Sequence, residues 1–272
     1  MQQVYRYQRL PGYTRLAGPG QAGLERLEFG LLRVPRDEAF SFATAGQEAV
    51  LVILSGACQV EVDAERWTLE RVSVFAEPAM AVYVPRHREY RVYGVKPADV
   101  AVATAEATQD LVPRLIDRHG VKAEAEGAGC FRRQVLGIVD QAFPASRLLV
   151  GETYVEPGQW ASYPPHKHDE DRYPEEVRLE QACFVQIDPP QGFALQYVYS
   201  ADRSLSQAQV VHNDDLVVVA RGYHPLVAAP GYSLYYLWAM AGDGHVMRWS
   251  ADPAHAWVGE EARAGRVAVP VE

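Results

Sequence analysis

The sequence predicts an all-β chain built from two small barrels joined in tandem. Three observations carry this. Short β-branched or aromatic runs recur along the chain, each bounded by Gly, Pro, Asn or Asp. Apolar residues at helical spacing are scarce. The two halves also resemble each other in outline, which reads as duplication of one barrel.

The first half opens its strand pattern with EAVLVILSGACQVEVD (residues 48–63), two β-rich runs around SGA. SVFAEPAMAVYVPRHREYRVYGV (73–95) follows, broken at Pro78 and Pro85, and ADVAVATAEA (98–107) is one more apolar strand. Proline lacks a ladder donor and so marks strand ends. TQDLVPRLIDRHG (108–120) is the one stretch with room for a turn or two of helix, interrupted at Pro113. The segment GAGCFRRQVLGIVDQAFPASR (127–147) reads as a connector, and we divide the chain into residues 1–130 and 131–272. RLLVGETYVEPG, ACFVQIDPPQGFALQYVYS and AQVVHNDDLVVVARGYHPLVAAPGYSLYYLWAMAG supply the strands of the second half. Such spacing suits a sandwich or a barrel.

Composition narrows the function. The 272 residues suffice for two modest domains with substantial cores. With 48% hydrophobic and 22% charged residues the chain is ordinary globular protein. A net charge of −9 leaves no basic excess to neutralise phosphates, which argues against a nucleic-acid partner. Lysines are confined to Lys96, Lys122 and Lys167, so arginine carries most of the positive charge. Cys58, Cys130 and Cys183 are odd in number and lack CxxC spacing, which fits a reducing compartment rather than a disulfide framework. The N-terminal residues show no apolar signal core, and LVVVA and AVLVIL are too short to span a bilayer. The expectation is a cytoplasmic protein without a membrane partner.

The chemistry concentrates in SYPPHKHDED (162–171). His166 and His168 stand two apart, so on a strand both imidazoles face one side. His224 lies in RGYHPL at the edge of a later strand. Two same-face imidazoles, a third from another strand and a nearby oxygen donor form an N3O set suited to one divalent metal, Zn first, with Mn, Fe, Ni or Co as alternatives. The bland reading is a pair of solvated loop histidines with His224 at a turn. His87 has no such pair upstream, so a second metal site in the first half is not expected. Cys183 fits a small buried hydrophobe better than a soft ligand. His212, Asp214 and Asp215 read as turn formers.

SYPPHKHDED, PPQGFALQYVY, DRSLS, RGYHPLVAAPGYSLYYLWAMAG and DPAHAW resemble the 5-deoxy-glucuronate isomerase family of bacterial myo-inositol catabolism, itself related to the 4-deoxy-5-ketouronate isomerases. The likeness is collinear over nearly the whole chain and strongest from Gly151 to Trp257. It implies a bicupin, two double-stranded β-helix (jelly-roll) barrels in one chain, with the metal in the C-terminal one. It also implies conversion of 5-deoxy-glucuronate to 2-deoxy-5-keto-gluconate. His166, His168 and His224 match the family's metal histidines. The carboxylate position is Gln181 here, in LEQACF, and Glu180 stands one residue earlier, on the opposite strand face. Gln181 offers a carbonyl oxygen with one negative charge fewer. Cys183 replaces a family Tyr, Tyr197 an Arg and Trp238 an Asn, which together suggest a remodelled pocket.

Aldose–ketose conversion needs either a base for a cis-enediol route or a metal-assisted hydride shift. Glu175, Glu176 and Tyr223 are the base candidates. The substrate's carboxylate suits an arginine fork, for which Arg178 and Arg203 come first and Arg221 third. The acidic segment 169–178 resembles a lid over the site mouth. Two other readings stand beside the isomerase: a catalytically silent or re-purposed bicupin that binds a sugar acid, and a cupin of another reaction type such as a dioxygenase. Uncovered strand edges point to a homodimer or larger assembly.

Overall fold

The computed structural model describes residues 4–263. It is nearly all β, with one α-helix among the described residues, Ala256–Arg263. No described helix is long and apolar enough to cross a membrane. Residues 108–120 hold no helix. Arg114–Ile116 is instead a short strand that pairs with Ala81–Val84, the chain resuming extended structure just past Pro113.

Two large sheets stack face to face. The first runs Gly12–Ala17, Glu28–Val34, Glu89–Glu106, Gln47–Val62, Ala81–Val84, Arg114–Ile116, with Ala39–Ala43 and Glu65–Arg71 pairing off its two longest strands. The second runs Val4–Arg6, Asp215–Val219, Leu179–Asp188, Ser233–Gly242, Leu149–Val155, Arg133–Val139, Lys122–Glu126. Six strands of the two orders match one for one, as duplication requires, and Lys122–Glu126 adds a seventh to the second. A four-stranded sheet (Trp160–Ala161, Leu226–Ala228, Phe193–Tyr199, Ser206–His212) closes the second barrel. The first barrel closes by bending its own long strands. Gly56 sits at that bend with φ +86°, and a Cβ there would meet the Pro97 carbonyl oxygen at 1.9 Å, so only glycine fits.

Strand alternation divides the apolar side chains among three cores. Leu51, Ile53, Val82 and Val100 fill the first barrel. Val185, Val217, Leu234 and Met240 fill the second. The opposite faces of the same strands meet between the sheets, where Phe29, Val52, Tyr83 and Ala103 pack with Phe184, Val218, Tyr235 and Leu237. These strands are buried on both sides, which is why they read as continuous apolar runs.

The first half lends parts to the second sheet. Val4–Arg6 pairs on Asp215–Val219 of the second half, whereas Arg114–Ile116 stays within the first half and pairs on Ala81–Val84. Lys122–Glu126, although before residue 130, lies in the second sheet. Two buried carboxylates clasp the halves in a reciprocal way. Glu48 accepts backbone N–H bonds from Ser146, Arg147 and Leu148 at 2.6–2.8 Å. Glu180 accepts those of Glu25, Arg26 and Leu27 at 2.8–3.0 Å. Each set of donors immediately precedes a strand, Leu149–Val155 or Glu28–Val34. Between them Arg71 and Glu152 form an ion pair at 2.6 Å whose side chains are both fully buried, with Tyr154 and Tyr235 completing the network.

A carboxylate serving three buried donors is costly to remove, because each N–H is left without a partner. Glu48→Ala and Glu180→Ala are each expected to lower unfolding free energy by roughly 3 kcal/mol or more. The denaturant midpoint checks this, and a change below ~1 kcal/mol for both would show that the clasps carry little.

Candidate functional site

His166 and Lys167 form a two-residue strand paired with Ser250–Ala251, and His168 follows directly. The same-face expectation holds in space. His166, His168 and His224 bring their nitrogens within 4.8 Å of one another, the one such His/Cys/Asp/Glu cluster found among the described residues. Ring centroids lie 4.7 Å apart for His166 and His224 and 5.1 Å for His168 and His224.

Between the two histidines Lys167 points the other way, into a charge knot. Its ammonium donates to Asp169 at 2.6 Å and to Glu170 and Glu176 at 2.9 Å. Glu176 also accepts from the backbone of Asp169 and Glu170, from Arg172 and from the Ser250 hydroxyl. Burial alone would raise its pKa, but these bonds outweigh it and hold the carboxyl at about 2. Asp169 in turn accepts the Gly222 N–H at 2.7 Å, two residues before His224. The knot thus ties the His166–His168 strand to the His224 loop. Gln196 fastens that loop from the other side by donating to the carbonyls of His224 and Pro225.

The donor set holds no carboxylate. His224 is buried and its Nδ1 donates to the Gly222 carbonyl at 3.0 Å, which leaves a lone pair on Nε2. That Nε2 is buried with no hydrogen-bond partner. Burial, then the neighbouring His168, pull the His224 pKa down to about 3. Burial, His224, His168 and Arg133 pull His166 down in the same direction. His168 Nδ1 bonds the Leu179 carbonyl at 2.8 Å, so its Nε2 lone pair faces Gln181 Oε1 at 2.9 Å. Two acceptors at that distance repel. A cation between them resolves the conflict, as does turning the amide so that Nε2 donates to His168 and the Cys183 thiol donates to Oε1. The His224 lone pair has no such alternative. Three imidazoles and an amide oxygen therefore fit a divalent cation, with no anionic member among them.

Gln181 and Glu180 separate as strand parity demands. Gln181 faces the imidazoles, whereas Glu180 faces the first half as a clasp. Cys183, on the Gln181 face, accepts the amide N–H at 3.1 Å, and burial pushes its thiol up to about 12.

Beside the imidazoles lies a cavity of about 100 Å³, lined among others by Thr153, Gln181, Tyr236, Trp238 and Met240. It adjoins an outer cavity of about 580 Å³, and Glu126, Arg133, His166 and Trp249 line both. The outer space is in the range of ligand sites. Trp238 crosses Gly151, where a Cβ would meet its indole at 2.2 Å, and donates to Thr153 at 3.2 Å.

Of the other residues singled out from sequence, none lines either cavity. Glu175 is exposed. Glu176 is the centre of the knot. Tyr223 is buried and bridges Tyr199. Arg178 is taken up by Glu25 at 3.1 Å. Arg203 lies over the Tyr199 ring at 3.9 Å. Arg221 is exposed. Segment 169–178 is tied down around Glu176 and does not cover the mouth. Tyr197 belongs to the outer face of its sheet and meets Ser206, so it is no part of the pocket; Cys183 and Trp238 are inside. Arg133 and Glu126 were not legible as site residues. Arg133 sits in the stretch read as a connector and Glu126 just before it, and only their RRQ and EAEG contexts mark them.

Residues 10–258 match the KduI/IolB family. The chain belongs to that family. A 5-deoxy-glucuronate isomerase of Geobacillus kaustophilus is 39% identical over 251 residues, spanning 91% of this chain and 91% of the relative. One from Bacillus subtilis strain 168 is 35% identical over 241 residues, spanning 86% and 88%. An IolB-like protein of Salmonella typhimurium LT2 superposes with a TM-score of 0.91 at 33% identity, covering 95% of this chain and 99% of that one. Oxalate decarboxylase of Lactobacillus farciminis gives 0.64 at 9% identity over 92% and 88%, a likeness of fold alone that identifies a bicupin.

The histidine shifts set a pH dependence. In the unfolded chain His166 and His224 titrate near 6.5; in the folded protein they stay neutral well below that. The unfolded state then binds more protons, so stability is full above 6.5 and falls as pH drops toward 3. Glu176 adds a further loss from about 4.5 down toward 2. Melting of metal-free protein should shift to lower temperature between pH 7 and pH 5, and His224→Asn should flatten the slope. A flat profile in the unaltered protein would contradict the assignment.

Proposed function

We propose that this chain is a metal-dependent aldose–ketose isomerase, an intramolecular oxidoreductase that converts 5-deoxy-glucuronate to 2-deoxy-5-keto-gluconate in inositol catabolism. The observation that carries the reading is the buried, partnerless His224 Nε2 clustered with His166 and His168, two imidazoles that line a cavity together with Arg133. Family membership and the named activities of the relatives support the reaction class.

One divalent cation, Zn first among Mn, Fe, Ni and Co, would be held by His166, His168, His224 and the Gln181 oxygen, and when bound it supplies Lewis-acid polarisation of the carbonyl. The rest falls to the chain. Tyr236, Trp238 and Met240 wall the inner cavity and limit water at the reacting carbons. Thr153 anchors the indole. Among the described residues Glu126 is the one carboxylate lining either cavity, and this supports a proton route through a cis-enediol over a hydride shift. A small sugar acid is the partner we expect, in the cytoplasm, with no nucleic acid or membrane involved. The row Trp160, Val227, Leu195 and Val210 crosses the outer face of the four-stranded sheet, and we expect it to pair two copies of the chain.

Protein purified without chelator is expected to carry about one divalent ion per chain by plasma mass spectrometry, and His224→Ala to carry none. Gln181→Glu restores an anionic ligand and should tighten binding by roughly tenfold or more, which needs only about 1.4 kcal/mol. Absence of metal in every form, even after incubation with each candidate ion, would leave a bicupin that binds the acid without turning it over. Isomerisation in D2O should place deuterium on the hydroxymethyl carbon of the product, C6 of 2-deoxy-5-keto-gluconate and C1 of the substrate; a product free of deuterium would mean hydride transfer.

A further inference from the structure

Arg133 and Glu126 face each other across paired strands at the junction of the two cavities. The guanidinium donates to the carboxylate at 2.6 Å and reaches the Tyr163 carbonyl at 3.4 Å. The two partners are unequally placed: the Arg133 side chain is 13% exposed and that of Glu126 43%. Arg133 is therefore held in the wall, while Glu126, the more exposed partner, lines both cavities. An arginine in a cavity wall whose one charged partner is a half-open carboxylate is a carboxylate site holding a resident surrogate.

We propose that this pair is a carboxylate-exchange gate, a specificity device that rests on the isomerase reading. The carboxylate of the sugar acid takes the Arg133 fork, and Glu126 leaves it. The freed Glu126 then takes the C2 proton of the aldehyde form. The C2–H bond breaks, its electron pair forms the C1–C2 double bond of the enediol, and the carbonyl oxygen becomes a hydroxyl. Collapse of the enediol to the C2 carbonyl returns the proton from Glu126 to C1, and a water molecule that supplies the O1 proton regains one from the O2 hydroxyl. No atom is gained or lost. A neutral sugar of the same length fills the cavity but leaves Glu126 on Arg133, so the gate denies it the base as well as the anchor.

The test compares 5-deoxy-glucuronate with 5-deoxy-glucose, in which a hydroxymethyl group stands for the carboxylate. The unaltered protein should favour the acid by about 100-fold or more in kcat/KM. Arg133→Gln should raise KM for the acid about 10- to 100-fold and bring the two substrates within a few-fold of each other, with Arg133→Lys between. Glu126→Gln should act oppositely on binding, lowering KM several-fold as the internal competitor goes, while kcat falls by roughly 10²–10⁴, the range for a general base. Retained discrimination in Arg133→Gln, or an unchanged kcat in Glu126→Gln, would overturn the gate. If the unaltered protein turns over neither compound, the isomerase reading fails, and calorimetry decides the anchor separately. Glucuronate should then bind the unaltered protein and Glu126→Gln but not Arg133→Gln, whereas equal binding to all three would remove the anchor too.

Discussion

Two buried glutamates, each collecting three backbone N–H groups from the opposite half, set the register on which the site depends. A strand presents successive residues to opposite faces, and a slip of one residue exchanges them. Glu180 is held on the inter-sheet side by Glu25, Arg26 and Leu27, so its neighbour Gln181 must face the barrel interior and the imidazoles. The clasp that joins the halves is thereby also what aims a first-shell oxygen. The edge strands Val4–Arg6 and Lys122–Glu126 act in the same sense, since these segments of the first half complete the second sheet.

Alternation works again at the histidines. Lys167 occupies the face opposite His166 and His168 and buries its charge among Asp169, Glu170 and Glu176. Charge is gathered on one side of a two-residue strand and excluded from the other. Burial holds His166 and His224 neutral, and neutral imidazole is the form that ligates a metal. With Gln181 in place of an anionic ligand, a bound divalent cation would keep its full charge at the first shell. That favours polarisation of a carbonyl and weakens retention of the ion.

The duplicated barrel did not duplicate the chemistry. Glu48 matches Glu180 as a clasp, which sets Ala49 against Gln181 and Leu51 against Cys183. Both Ala49 and Leu51 are fully buried in a core of aliphatic side chains. His87 is exposed and meets no cluster among the described residues. The first half serves as a packed support for the second, through the shared core around Phe29, Phe184 and Tyr235 and the buried Arg71–Glu152 pair.

What the sequence by itself determined follows from short-range periodicity. The all-β class, the same-face placement of His166 and His168, and the opposition of Glu180 and Gln181 all rest on the two-residue repeat of a strand. Residues far apart in sequence had to be placed by strand order instead. Arg133 and Glu126 reach the cavity because Lys122–Glu126 and Arg133–Val139 extend the second sheet beside Leu149–Val155. Arg178, Arg203 and Arg221 have the right chemistry but stand where other partners or solvent take them. Tyr197 shares a strand with Gln196, which points inward, and so turns outward itself. Local chemistry names the donors; only long-range pairing decides which of them share a cavity.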